Sequence, residues 1–188
     1  MPDAGSLHVR TMLRRLGDRG GHDPSAAAEL LSVIRTELER LVAAQVEAQP
    51  VAALLGEAYR RLVIAEGLRA GDRAQFLALA ARAMRRVMVD AARGRRRAAP
   101  PGILPRLGPV EDARLGPNDP TAIRALDVAL DSLRTLDGRA ARVAEMRLFG
   151  GLGFAEIEGA LGASGRMVVD DWAMARIWLA RELRSLQG

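Results

Sequence analysis

No cysteine occurs in this chain. That removes a disulfide framework, a cysteine-ligated zinc and a thiol nucleophile together, and it fits a reducing compartment. Lysine is also missing: all 28 basic residues are arginine. Arginine holds phosphate well through its planar fork, but a lysine-free chain equally reflects GC-rich coding. Aromatics are scarce at 3%, so a core has to be built from Leu, Val, Ile, Met and Ala. No apolar run approaches the roughly 18 residues needed to span a membrane. The first ten residues lack the charged-then-apolar pattern of a secretory leader. A cytoplasmic location without a membrane partner is expected.

Catalytic groups are also few. The two histidines, His8 and His22, both fall in a glycine-interrupted amino-terminal stretch, with no framed helix face to orient them. Asp170 and Asp171 are adjacent carboxylates, but neighbouring helix positions diverge by about 100° and do not converge on one substrate. No glycine-rich loop follows a strand, so a nucleotide cradle is unsupported. These absences predict no catalytic residue, no metal site, no cofactor and no small-molecule substrate, and hence a protein that is not an enzyme.

What is present is helical. Leu, Ala, Arg and Glu favour helices, and no segment alternates with period two as a strand would. An all-α fold is predicted. Residues 1–24, broken by Gly17, Gly20, Gly21 and Pro24, read as a flexible segment. Asp23-Pro24-Ser25 is a helix-start signal. Leu30, Leu31, Ile34, Leu38, Leu41 and Val42 then recur at helical spacing to about Gln49. Leu54, Leu55, Ala58 and Leu62 mark a second helix, and a loop 67–72 precedes a third helix over about 73–93, with Phe76, Ala80, Ala83 and Val87 on its apolar face. From 94 to 120 the prolines 100, 101, 105, 109, 117 and 120 preclude a continuous helix and read as a Pro/Gly-rich linker. Beyond it, helices are predicted over 121–136, 139–149 and a short stretch holding Phe154, Ile157 and Leu161. The turn Gly162-Ala163-Ser164 follows, then a final helix with Val168, Trp172, Ala175, Leu179 and Leu183 on one face. This order is that of a helix-turn-helix. The chain therefore divides into helical domains at 25–93 and 121–188.

The net charge of +5 is modest, so its distribution matters more than its total. Arg82, Arg86 and Arg93 share one stripe of the third helix, away from its apolar face, and Arg95-Arg96-Arg97 extends it. Such a stripe suits backbone-phosphate binding, although a solvated face explains the same pattern. A helix-turn-helix presents the early residues of its last helix to base edges. Here those are Arg166, Val169, Asp170 and Arg176. Asp170 repels phosphate and can accept only from a cytosine amino group, so a protein-interaction role for this unit stays open.

Several stretches resemble one known family. Phe76-Leu77-Ala78-Leu79-Ala80-Ala81-Arg82-Ala83-Met84-Arg85-Arg86-Val87-Met88-Val89-Asp90-Ala91-Ala92-Arg93 closely resembles the promoter-melting helix of bacterial extracytoplasmic-function (ECF) sigma factors. Glu57-Ala58-Tyr59-Arg60-Arg61-Leu62 resembles the helix of that family that docks on the polymerase clamp. In the carboxy-terminal part, Ala141-Arg142-Val143, Arg147-Leu148-Phe149-Gly150-Gly151-Leu152, Ala155-Glu156-Ile157, Asp171-Trp172 and Trp178-Leu179 follow the family pattern in order. The resemblance implies a sigma domain 2-like unit and a sigma domain 4-like helix-turn-helix unit joined by the linker. It implies a transcription initiation factor with core RNA polymerase and promoter DNA as partners, and an anti-sigma factor as a further partner. By position, Leu54, Glu57, Tyr59 and Leu62 would contact core polymerase, and loop 67–75 would hold a flipped base. Arg82, Arg85, Arg86 and Arg93 would face promoter DNA, with Arg95, Arg96 and Arg97 extending that basic surface as DNA-binding candidates, while Arg166, Val169, Asp170 and Arg176 would occupy the face that reads the minus-thirty-five element.

The chain departs from the family pattern at surface positions. Ala53 and Gly56 stand where polar or acidic residues are usual, Gly67-Leu68-Arg69-Ala70 stands where a tryptophan is usual, and Met167-Val168-Val169-Asp170 stands where the family tends to place Thr-Val-Lys-Arg. These departures sustain a second expectation: a sigma-derived interaction protein that binds protein partners, an anti-sigma factor or itself, without sequence-specific DNA reading.

Overall fold

The computed structural model describes residues 11–15, 24–44, 51–63, 70–94 and 120–185, and among them every regular element is a helix. In chain order these are α1 (11–15), α2 (Pro24–Ala44), α3 (Val51–Val63), α4 (Ala70–Gly94), α5 (Pro120–Leu136), α6 (Gly138–Gly150), α7 (Phe154–Leu161) and α8 (Gly165–Ser185). The all-α expectation holds.

α2 begins at Pro24, where a fixed φ and a missing N–H cost nothing in a first turn. It buries Leu30, Ile34, Leu38 and Leu41 at the predicted spacing. α3 follows Pro50 directly and buries Leu54, Leu55 and Ala58. The amino-terminal segment is not loose throughout. Residues 11–15 form a helical turn that sets Met12 and Leu13 into the core, because two adjacent large apolar residues hold even a short turn in place.

α4 is the organising helix. It starts three residues earlier than the loop signal suggests, since Ala70 favours a helix and Gly71 costs only about 1 kcal/mol. The expected base-holding loop therefore shrinks: Arg73, Ala74 and Gln75 are already helical, and residues 67–69 lie outside the described residues. Phe76, Ala80, Ala83 and Val87 are buried on one side, as predicted. A second stripe, Leu77, Ala81, Met84, Met88 and Ala92, is buried on the adjacent side. A helix apolar over most of its circumference must be covered on more than one side. α2 covers part of α4, and α5, α6 and α7 cover another part.

The core consequently does not divide at the linker. One cluster of buried side chains runs from Met12 through Phe76 and Ala81 to Phe149, Ile157 and Leu183. Small residues permit the close approach of α4 to the carboxy-terminal helices. A Cβ added at Gly150 would lie 2.9 Å from the Cβ of Ala81, and one added at Gly159 would lie 3.7 Å from that of Ala74. No helix among the described residues is long and apolar enough to cross a membrane.

Candidate nucleic-acid interface

Helices α6, α7 and α8 are held in register by short-range chemistry. Asp137 caps α6, its Oδ1 accepting from the N–H groups of Arg139 and Ala140 at 3.0 Å each. Gly151 and Gly162 take the left-handed conformation, with φ of 64° and 61°, and so end α6 and α7 sharply. At the start of α7, the Gly153 N–H donates to Glu156 Oε2 at 2.9 Å. Ser164 caps α8, its Oγ accepting from the Met167 N–H at 3.4 Å. The turn between α7 and α8 is the three-residue segment predicted.

Two arginines fix the angles between these helices. Arg147 on α6 places its guanidinium 4.7 Å from the Phe154 ring centroid and 5.4 Å from that of Trp172. Its Nη1 donates to the Leu152 carbonyl at 2.7 Å. One side chain thus touches the start of α7 and the middle of α8 together. Arg139, at the start of α6, grips Asp171 of α8 with two bonds of 2.6 and 2.9 Å. That carboxylate partner raises the pKa of Arg139 above its ordinary value, chiefly through the hydrogen bond. Neither arrangement was visible as a motif in the chain.

The face that α8 presents outward carries Arg166, Val169 and Asp170, all exposed. Arg166 Nε lies 3.9 Å from Asp170 Oδ2, so the one carboxylate on this face moderates its neighbouring cation. Met167, Met174 and Ile177 are exposed beside them. Arg176 is half-buried. Asp170 and Asp171 diverge as helix geometry requires, the first to solvent and the second into the packing against Arg139.

On α4 the basic residues separate into two populations. Arg82 and Arg86 are exposed and have no acidic partner among the described residues. Arg82 sits where three surface clefts meet. One of about 370 Å³, toward α6 and α7, also carries Arg134 and Arg142, and one of about 550 Å³, toward α2, also carries Arg35 and Arg86. Arg93 is exposed and lies 3.5 Å from Asp127 and 4.0 Å from Asp90. Arg95, Arg96 and Arg97 lie outside the described residues.

Arg85 is different, and its expected place on the DNA-facing stripe is corrected. It is 5% exposed and lies on the side of α4 that faces the carboxy-terminal helices. Its Nε donates to Asp127 Oδ1 at 2.8 Å and its Nη2 to Asp131 Oδ1 at 2.7 Å. Nη2 also meets the Asp127 carbonyl at 2.8 Å, and Nη1 meets Glu145 Oε1 at 3.2 Å. Burial opposes the charge of Arg85, but the carboxylates of Asp131, Glu145 and Asp127 prevail, and its pKa stands above the ordinary arginine value. Glu145, itself buried, also accepts from Arg134 Nη2 at 3.3 Å. The missed participants are therefore acidic: Asp127 and Asp131, one turn apart on α5, and Glu145 on α6.

The docking-helix expectation is corrected at one residue. Leu54 is 2% exposed and belongs to the core, so it supports α3 from beneath and offers nothing to a partner. Glu57 is half-buried and pairs with Arg60 at 2.6 Å. Tyr59 packs edge-to-face on Phe76, ring centroids 5.1 Å apart, with the Arg73 guanidinium 5.8 Å from its ring. Leu62 is half-buried.

No match was found among curated proteins or solved structures. A family model described as ECF sigma factor, however, matches residues 11–185, which takes in both sets of helices and the segment 95–119 between them. The ordered succession from α1 to α8 and this match over most of the chain make the protein a member of the ECF sigma factor family, a family of transcription initiation factors.

Proposed function

We propose that this protein binds core RNA polymerase and directs it to promoters, with 25–93 and 121–188 acting as its two working units. In this reading Glu57, Tyr59 and Leu62 on α3 meet polymerase. Arg82, Arg86 and Arg93 on α4, continued by Arg95, Arg96 and Arg97, hold the backbone of the minus-ten element. Arg166, Val169, Asp170 and Arg176 on α8 enter the groove at the minus-thirty-five element. The observation that carries it is the family match across 11–185. The exposure of Arg82 and Arg86, which have no carboxylate partner among the described residues, supports the DNA-binding part, since exposed guanidinium groups without such a competitor are available to phosphate.

A second reading is favoured by the apolar surface of α8. Met167, Val169, Met174 and Ile177 are between 39% and 67% exposed, and Asp170 beside them repels phosphate. That surface suits a protein partner, an anti-sigma factor or a second copy, better than a DNA groove. Run-off transcription on fragmented genomic DNA with purified core polymerase separates the two readings. Initiation predicts discrete new transcripts that are lost in Arg82→Ala/Arg86→Ala. That double variant should also flatten the salt dependence of DNA binding by about two units of log–log slope. If a reference sigma factor works and this protein neither binds core nor yields transcripts, the initiation reading is lost.

A further inference from the structure

We propose that the cleft bounded by α4, the end of α5, α6 and α7 is a binding site for a phosphorylated small molecule of nucleotide size, held by Arg82, Arg134 and Arg142. The site shares Arg82 with the DNA contacts assigned above and takes its other two cations from helices to which no such contact is assigned.

The first observation is the convergence of charge. Arg82 comes from α4, Arg134 from the last turn of α5 and Arg142 from α6, and all three line one cleft. Arg82 and Arg142 are exposed and have no acidic partner among the described residues. Arg134 is steadied at the same place by Asp131 and Glu145, each 3.3 Å from it. Glu145 is the one carboxylate among the described residues that line the cleft. It is buried, and its Oε1 already accepts from Arg85 at 3.2 Å. Three guanidinium groups against one carboxylate leave the lining at 3 − 1 = +2. A single carboxylate ligand would occupy one guanidinium fork. A phosphoryl group carries about −1.5 to −2 charge and three acceptor oxygens, which suits several forks at once.

The second observation is shape. The rest of the lining is apolar or small, with Leu79, Met146 and Leu161 its largest members. The cleft holds about 370 Å³, inside the range of roughly 300–1,000 Å³ typical of small-molecule pockets, which likewise combine apolar walls with a few converging polar groups. A nucleic-acid strand is gripped differently, by cations set out along a surface that follows its backbone. The α4 stripe has that layout, but its further members Arg86 and Arg93 do not line this cleft. The stripe suits a strand, whereas the cleft suits a compact anion with an apolar body. A nucleotide supplies both parts, its phosphates for the three arginines and its base for the leucines and Met146.

The test is a calorimetric titration of the full-length protein with ATP and, separately, GTP, free of divalent metal and at about 150 mM salt, where diffuse attraction is screened. At least one of the two should bind saturably with a dissociation constant below about 100 µM. Arg142→Ala should weaken that binding at least about ten-fold, while Arg86→Ala should change it by less than about two-fold. Arg142 is exposed and has no acidic partner among the described residues, so its variant should melt at an unchanged temperature without nucleotide, and a lost affinity then reports on the site. Inorganic tripolyphosphate should bind at least about ten-fold more weakly than the better nucleotide, because it leaves the apolar lining unfilled. The proposal is overturned if neither nucleotide saturates the protein by about 1 mM, or if Arg142→Ala binds as the parent does. It is equally overturned if Arg86→Ala loses as much as Arg142→Ala, which marks general attraction to a basic face. Tripolyphosphate binding as tightly as the nucleotides removes the nucleotide-sized ligand.

Discussion

Neighbouring residues in this protein do opposite work because a helix turns them about 100° apart. Asp171 closes a two-bond clasp on Arg139, whereas Asp170 stands in solvent beside Arg166. Asp171→Ala is expected to lower the melting temperature measurably by releasing α8 from α6. Asp170→Ala should change stability by no more than about 0.5 kcal/mol. It should instead strengthen binding to duplex DNA by removing a negative charge from the outward face, which a fluorescence titration at two salt concentrations would detect. The pair Arg85 and Arg86 behaves alike, with one guanidinium buried among three carboxylates and the other exposed, with no acidic partner among the described residues. The sequence pattern shows Arg86 on a basic stripe, but it cannot show that Arg85 faces inward, because its three partners lie on helices beyond the linker. The readable signal was weaker: Leu77, Ala81, Met84, Met88 and Ala92 form a second apolar row, and a helix with two such rows has little room for solvent.

At the scale of elements, the carboxy-terminal helices were the most legible part, because their boundaries are set by residues with local reasons to be there. Asp137 and Ser164 cap, and Gly151 and Gly162 supply positive φ. Gly162→Ala has open space around it, so its cost is conformational alone, about 1–2 kcal/mol by denaturant unfolding. Ser164→Ala should cost about 1 kcal/mol. Losses well outside these ranges would mean that the turn between α7 and α8 carries more than local geometry. By contrast, the helical turn at 11–15 was not legible. Five residues give too little periodicity, and the burial of Met12 and Leu13 depends on helices far along the chain. Leu54 was read correctly as helical and apolar but not as covered, since the sequence does not say which side of α3 the rest of the molecule occupies.

The described helices form one packed body on both sides of the segment 95–119, whose sequence reads as a domain boundary. Its continuous core predicts a single thermal transition by calorimetry, with both halves melting together. Asp127→Ala/Asp131→Ala should split that transition in two, the lower one belonging to the half left with less buried surface. A single unchanged transition in this variant would show that apolar contacts alone couple the halves.

The depth of Arg85 has a further consequence, for ionic strength. Ions screen exposed charges over about 8–10 Å at ordinary salt but reach a buried guanidinium poorly. Contacts from exposed arginines to phosphate weaken steeply as salt rises. The ion pairs of Arg85 and any contact of the exposed Arg82 and Arg86 with phosphate are therefore expected to respond differently to salt: concentrating the electrolyte weakens the second and leaves the first almost untouched. Raising salt should therefore leave the packing of α4 on α5 and α6 intact at concentrations that already strip an anionic ligand from the outer face of α4.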